Sequence, residues 1–470
     1  MKQCLTLYRI MITLTALFLL ILTGCSGVND KTLIVTVVRS KGNPDYLTGD
    51  SWRFPSSAYI ASVDRVKPGV KPRILTEDFF SAAFAEVSYD GKKILFAGKL
   101  REEDPWQIYE MTIGSRKYRR LTSTAFNCTD PAYLPAGRFL FSMAVPNDTT
   151  GLCHSIFTSK LSGGEPARIT WHPHADFASM VMSDGRIVTV TRQVYPEPGT
   201  SNLFVLRPDG TKAMMHIPSQ QNEYFTAQAA ETADGKMLYL KMNTETGRSK
   251  LWSVKLSRPL HTAECISEGD DLTYGSVSIS NDGTVFVTCG TPANGTRMLC
   301  EFDPASGLPG KTVFESDEGY IAEAAVAEAH QRPKNLPSEV DMHVKTGQMM
   351  CQDINHFGPE TFSETRAARI EILGIGKSLG IVETETDGSF YIKPLSDMPF
   401  RIRTVDKDGK ELNGPTGWMW LRPNERRGCV GCHEDPETVP DNRVPMAVKK
   451  IPDIVPVHID KVKEKSVELE

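Results

Sequence analysis

Ser88-Tyr89-Asp90-Gly91-Lys92-Lys93-Ile94-Leu95-Phe96-Ala97 is a polar Asp-Gly turn that runs straight into an apolar, strand-forming segment. Glycine supplies the positive φ of a tight turn, and the aliphatic and aromatic side chains that follow suit a pleated, buried surface. The same pair of signals recurs at Ala136-Gly137, Asp184-Gly185, Asp234-Gly235 and Asp282-Gly283, spaced 46 to 50 residues apart. Each turn leads into an apolar run: Phe139-Leu140-Phe141, Ile187-Val188-Thr189-Val190, Met237-Leu238-Tyr239-Leu240 and Val285-Phe286-Val287. A second strand follows, as at residues 107–111 and 250–254, and a third closes most units, as at 119–122 and 167–170. This is the period of a propeller blade. Adding a unit built on residues 33–38 and 72–76, the sequence predicts an all-β fold with a propeller of about six blades over residues 32–330. The strand-like segment at 320–326 returns to the first blade, so that both ends of the propeller chain close the ring.

A polar, proline-rich linker, 331–346, precedes a second set of strand signals at 370–373, 379–382, 389–392 and 400–403. They predict a small immunoglobulin-like or transthyretin-like β-sandwich over 347–450, followed by a charged tail at 451–470. Gly374-Ile375-Gly376-Lys377-Ser378 lacks the spacing of a phosphate-cradling loop and reads as a turn.

The chemistry-bearing motif is Cys429-Val430-Gly431-Cys432-His433. Two thiols at this spacing each add across one haem vinyl group, and the adjacent imidazole lies where it can bind iron, so the motif predicts one covalent c-type haem. A thioredoxin-type pair would open a helix, and neither residues 418–423 nor 434–436 carry a helical pattern. A structural zinc site would need a second Cys or His pair close by. For the sixth iron position Met446 is the first choice, because Val444-Pro445-Met446-Ala447 is a short constrained apolar segment near the motif. Met419, His458, His154, His172 and His174 are further candidates. Arg426, with Arg422 and Arg427 beside it, is the expected partner of a haem propionate.

At the amino terminus Lys2 and Arg9 precede an apolar run from Ile10 to Leu22 that ends in Leu22-Thr23-Gly24-Cys25-Ser26. This is the pattern of a bacterial lipoprotein signal: residues 1–24 would be removed, Cys25 acylated, and 25–31 left as a tether. The expected location is the cell envelope, lipid-anchored to a membrane, with Ser26 favouring the outer membrane and a periplasmic or surface-facing protein. That compartment is also where bacteria attach c-type haem, so two independent motifs agree. It is oxidising, and among the remaining cysteines Cys289 and Cys300 flank a turn and form a candidate disulfide. A net charge of −5 over 470 residues offers no basic field, which excludes nucleic acid as a partner. No Ser-His-Asp order or paired-carboxylate setting supports a hydrolase.

The repeat around Asp90-Gly91 resembles the TolB-type propeller. Residues 130–138, 181–187 and 206–211, then Glu385-Thr386-Asp387-Gly388-Ser389-Phe390, residues 404–409, and residues 421–428 leading into the haem motif, resemble the hydrazine synthase alpha subunit family in the same order. The resemblance implies a propeller, a middle domain with a c-type haem, and a further haem domain. With no second CxxCH before Glu470, hydrazine synthesis itself is not expected. The family pattern also implies a tyrosine ligand just downstream of the motif, with the motif histidine free to meet a metal. The last tyrosine here is Tyr391, so His433 is expected as the proximal iron ligand, with a zinc site beside it as the alternative. Two functions follow: a lipid-anchored cytochrome serving electron transfer or small-molecule redox chemistry with an unidentified redox partner protein, or a propeller-based binding or scaffold lipoprotein whose haem is structural or sensory.

Overall fold

Every Asp-Gly or Ala-Gly turn of the repeat lies between the first and second strands of a four-stranded unit. The computed structural model describes residues 31–40, 53–147, 149–356, 365–431, Glu437 and 443–456. In the turns, Asp90, Asp184 and Asp282 accept the backbone N–H two residues on, at 3.1, 2.9 and 3.0 Å. Gly91, Gly185 and Gly283 supply φ values of +69°, +90° and +83°. The dipeptide recurs because each member fills a different requirement of the same turn.

Six blades result. Five are built in chain order on the inner strands Ser81–Val87, Cys128–Leu134, His174–Val181, the broken pair Glu223–Phe225 and Ala230–Glu231, and Thr273–Ile279. The sixth closes the ring: Tyr320–Val326 pairs antiparallel with Thr32–Val38, Leu33 opposite Val326. The second and third blades are joined by one parallel bridge, His154 to Ala175. Strands such as Arg138–Asn147 read as continuous apolar runs because both faces are covered by neighbouring blades; Phe139, Leu140 and Phe141 are all fully buried. Three inner strands carry a bulge with a non-glycine residue at positive φ, Phe84, Asp130 and Ala178. There the inner strands of several blades converge, and Glu86, Asp130, Ser179, Gln228 and Glu323 line a narrow polar space. Arg53, paired with Asp130, stacks 3.6 Å over the Phe84 ring.

The chain then crosses the propeller on the same turns that define the repeat. Lys334 N–H bonds the Ser183 carbonyl at 3.0 Å, and a Cβ on Gly185 would lie 2.2 Å from the Lys334 oxygen. Glu339 N–H bonds Asp209 at 2.7 Å, and the second domain begins there. This domain is a β-sandwich of two four-stranded sheets. One runs Arg426–Cys429, Gln348–Cys351, Phe390–Pro394, Asp453–Val455, and the other Lys377–Glu383, Arg369–Gly374, Arg401–Val405, Glu411–Asn413. Asp453–Val455, from the segment expected as a charged tail, pairs in parallel with Phe390–Pro394. Trp420 fastens the sandwich to the propeller. Its indole, 1% exposed, enters an apolar cluster of the second and third blades with Leu140, Ile156 and Leu206, and its Nε1 donates to the Gly210 carbonyl at 3.2 Å.

Candidate functional site

Between the third blade and the sandwich lies a cavity of about 500 Å³. Its propeller wall carries His174, Phe204, Met214 and Met215, and its sandwich wall carries Met349, Trp418, Met419 and Cys429. Lys212 and Arg427 add positive charge. Strand geometry decides which motif residues reach it. Arg426–Cys429 pairs in parallel with Gln348–Cys351, Cys351 opposite Cys429, and alternation puts Arg427 and Cys429 on one face. Arg426 points the other way: it is exposed, and only its backbone carbonyl is engaged, by Lys212 Nζ. The guanidinium at the cavity is therefore that of Arg427.

Glu425, fully buried, holds this corner together. It accepts from Arg427 Nη2 at 2.7 Å, from Arg422 N at 2.8 Å and from Lys212 N at 2.9 Å, tying the strand Arg426–Cys429 to the third blade. Arg422 is spent on structure, paired with Asp397 and bonded to the Asp209 carbonyl at 3.0 Å. Neither role could be read from the sequence, because each depends on a partner more than two hundred residues away or on strand parity.

On the propeller side, His174 opens the inner strand of the third blade and is 8% exposed. No hydrogen bond reaches its Nδ1. Burial, and then the charge of the neighbouring His172, push its pKa down to about 3, so it is a neutral imidazole at any physiological pH. His172 stands 4.9 Å away, ring to ring, and its Nε2 contacts both oxygens of Asp176 at 2.8 and 3.0 Å. Burial opposes ionisation of Asp176, but His172 beside it and hydrogen bonds from His172, Thr170 and Thr191 hold its carboxyl below the usual range. His154, also buried, packs 4.7 Å from Phe177 and is not part of the cavity lining.

Met446 is not among the lining residues either. It starts a short 3-10 turn whose N–H donates to Asp387 at 2.9 Å, while the Thr386 hydroxyl reaches its sulfur at 3.4 Å. Cys432, His433, Cys25 and His458 lie outside the described residues. The nearest described residues on either side are Gly431 and Glu437. Gly431 packs so tightly on His356 that a Cβ would lie 2.1 Å from its carbonyl oxygen, and Glu437 accepts from Leu260 N at 2.6 Å. Among the described residues no group of three or more His, Cys, Asp or Glu is placed to hold a metal. Cys289 and Cys300 sit on adjacent strands with their sulfurs 3.8 Å apart, Cys289 donating to Cys300; that bond holds the Cys289 thiol up and draws Cys300 down.

A six-bladed propeller docked onto a β-sandwich, with a thiol-bearing cavity at the junction, is the class of protein these features define. Residues 326–434 match the family described as the hydrazine synthase alpha subunit middle domain. The hydrazine synthase subunit alpha of Kuenenia stuttgartiensis is 33% identical over 76 residues, which is 16% of this chain and 9% of the relative's length. The solved Kuenenia stuttgartiensis hydrazine synthase superposes with a TM-score of 0.74 at 18% identity, covering 89% of this chain and 71% of that one. The propeller and sandwich therefore share its fold. TolB from Acinetobacter baumannii is similar over 65% of this chain and 69% of its own, with a TM-score of 0.44 and 14% identity. The all-β fold and the hydrazine synthase alpha resemblance expected from the sequence are both borne out.

Proposed function

We propose that this chain is an exported, lipid-anchored c-type haem protein of the hydrazine synthase alpha type, acting in electron transfer or small-molecule redox chemistry. One haem would be held by Cys429 and Cys432, with His433 as its proximal ligand. The observation that carries the proposal is the cavity: at about 500 Å³ it is of cofactor size, within the ~300–1,000 Å³ usual for such sites, and Cys429 forms part of its wall.

The lining fits the group. Methionine and aromatic side chains, Met214, Met349, Met419, Phe204 and Trp418, suit a flat apolar ring, and the polarizable thioethers adapt to its outline. Arg427, oriented by Glu425, and Lys212 can neutralise propionates. When bound, haem supplies one-electron chemistry or a site for a small ligand at iron. The protein's own contribution is to fix the ring by two thiols, to exclude water between two rigid β domains, and to set the polarity around it. Acylation of Cys25 would place this unit at a membrane surface outside the cytoplasm.

Haem staining of the denatured protein tests the proposal. The wild type retains the stain through denaturation, and Cys432→Ala loses it; a mature protein free of iron would instead favour a propeller-based binding role.

A further inference from the structure

We infer that Cys351 is the redox partner of Cys429: while no haem is attached, the two thiols close to a cross-strand disulfide that must be reduced before Cys429 can take a haem vinyl group. The pairing rests on strand register, and its consequence for loading rests on the haem assignment above. Cys351 ends the strand Gln348–Cys351 and stands directly opposite Cys429, the last residue of the parallel strand Arg426–Cys429. Opposed residues of a ladder project from the same face, and adjacent strands lie ~4.7–4.9 Å apart. That spacing falls inside the ~4.4–6.8 Å a disulfide spans between Cα atoms. The register is held on both sides of the pair. Before it, Gln348 N–H bonds the Glu425 carbonyl at 2.8 Å; after it, Gln352 and Asp353 N–H bond the carbonyls of Cys429 and Val430 at 3.0 and 3.1 Å. Both side chains turn to one apolar interior, Cys351 within the sandwich core beside Met349 and Ile392, and Cys429 packed against that cluster.

The two thiols differ in access. Cys351 is 2% exposed, whereas Cys429 is half-buried and lines the junction cavity. Exchange therefore starts at Cys429, whose thiolate attacks a disulfide oxidant such as glutathione disulfide and expels one thiolate, leaving a mixed disulfide. Cys351 then loses its proton, attacks the Cys429 sulfur and expels the second thiolate. Two thiols have given up two electrons and two protons, and the oxidant's disulfide has become two thiols. Burial shields Cys351 from every disulfide except the one formed beside it. A thioether to haem and a disulfide to Cys351 draw on the same Cys429 sulfur and exclude each other, so an oxidised chain cannot be loaded until a thiol reductant reopens the pair.

The test is peptide mapping of the mature chain made in cells without haem-attachment machinery, equilibrated with glutathione disulfide, alkylated in denaturant and digested with trypsin without reduction. Peptide 346–366, which holds Cys351, is expected joined to peptide 428–443, with fragmentation placing the link at Cys429 and the alkyl group at Cys432. The link should persist in Cys432→Ser and disappear in Cys429→Ser. Cys351 recovered alkylated from the oxidised wild type overturns the inference, as does a link from Cys351 to Cys432, and neither result depends on a variant folding. In haem-loaded protein Cys351 should be recovered as a thiol. A Cys351–Cys429 link in protein purified from the cell envelope without haem would refute the haem assignment and leave the pair standing.

Discussion

Trp420→Ala should uncouple the two domains without unfolding either. The side chain belongs to the sandwich but is buried among propeller residues, so its loss falls on docking. An aromatic side chain buries about 150–250 Å², and at ~25 cal/mol per Å² this corresponds to roughly 4–6 kcal/mol as an upper bound. The hydrogen bond to Gly210 adds about 1 kcal/mol, and buried Trp→Ala changes cost about 3–5 kcal/mol. A loss near 4 kcal/mol raises the undocked population roughly a thousandfold. Limited proteolysis of the linker, under conditions where cleavage follows the open population, reads this directly. Cleavage between 331 and 346 should accelerate by roughly a hundredfold or more, and calorimetry should resolve separate propeller and sandwich transitions. A single melting transition within about 1 kcal/mol of wild type, with unchanged cleavage, would refute the role given to Trp420.

Two buried carboxylates of the propeller, Glu86 and Glu323, make a pH prediction. Burial, and then the charge of Glu323, push Glu86 up to about 8, and burial pushes Glu323 up to about 7. In the unfolded chain a glutamate titrates near ~4.3, so between these values the native state binds more protons and stability falls as pH rises. Glu86→Gln should therefore gain stability over wild type as pH rises from ~4.5 through about 8, with the difference vanishing toward pH ~4.5; thermal melts across the range check it, and a pH-independent difference would contradict it. In the exported protein Cys289 and Cys300 should be recovered as one linked peptide pair without reduction, and Cys300→Ser should cost about 3 kcal/mol for a loop of this length. Alkylation of both thiols in unreduced protein would remove the disulfide from the account.

The repeat was legible because an Asp-Gly turn is a local requirement: backbone sign and side-chain acceptor are set by two adjacent residues. Ring closure was legible for the same reason, since Tyr320–Val326 carries its own strand pattern. The fourth blade shows the limit, its inner strand being broken between Phe225 and Ala230 where no turn signal marks the gap. At the site, Cys429 was plain from spacing, but Arg427 and not Arg426 faces the cavity because strand parity depends on pairing with Gln348–Cys351, a four-residue strand with almost no periodicity to detect. Met446 ranked first by nearness in sequence. His174, 255 residues before Cys429, shares the cavity through the docking of two domains, which is set by Trp420 and Glu425 rather than by any local pattern.

The most direct measurement is the mass of the tryptic peptide 428–443 from the protein purified out of the cell envelope. The proposal predicts one haem joined to it through both Cys429 and Cys432. Recovery of that peptide with both cysteines unmodified, linked to each other, or holding zinc in the native protein would contradict it.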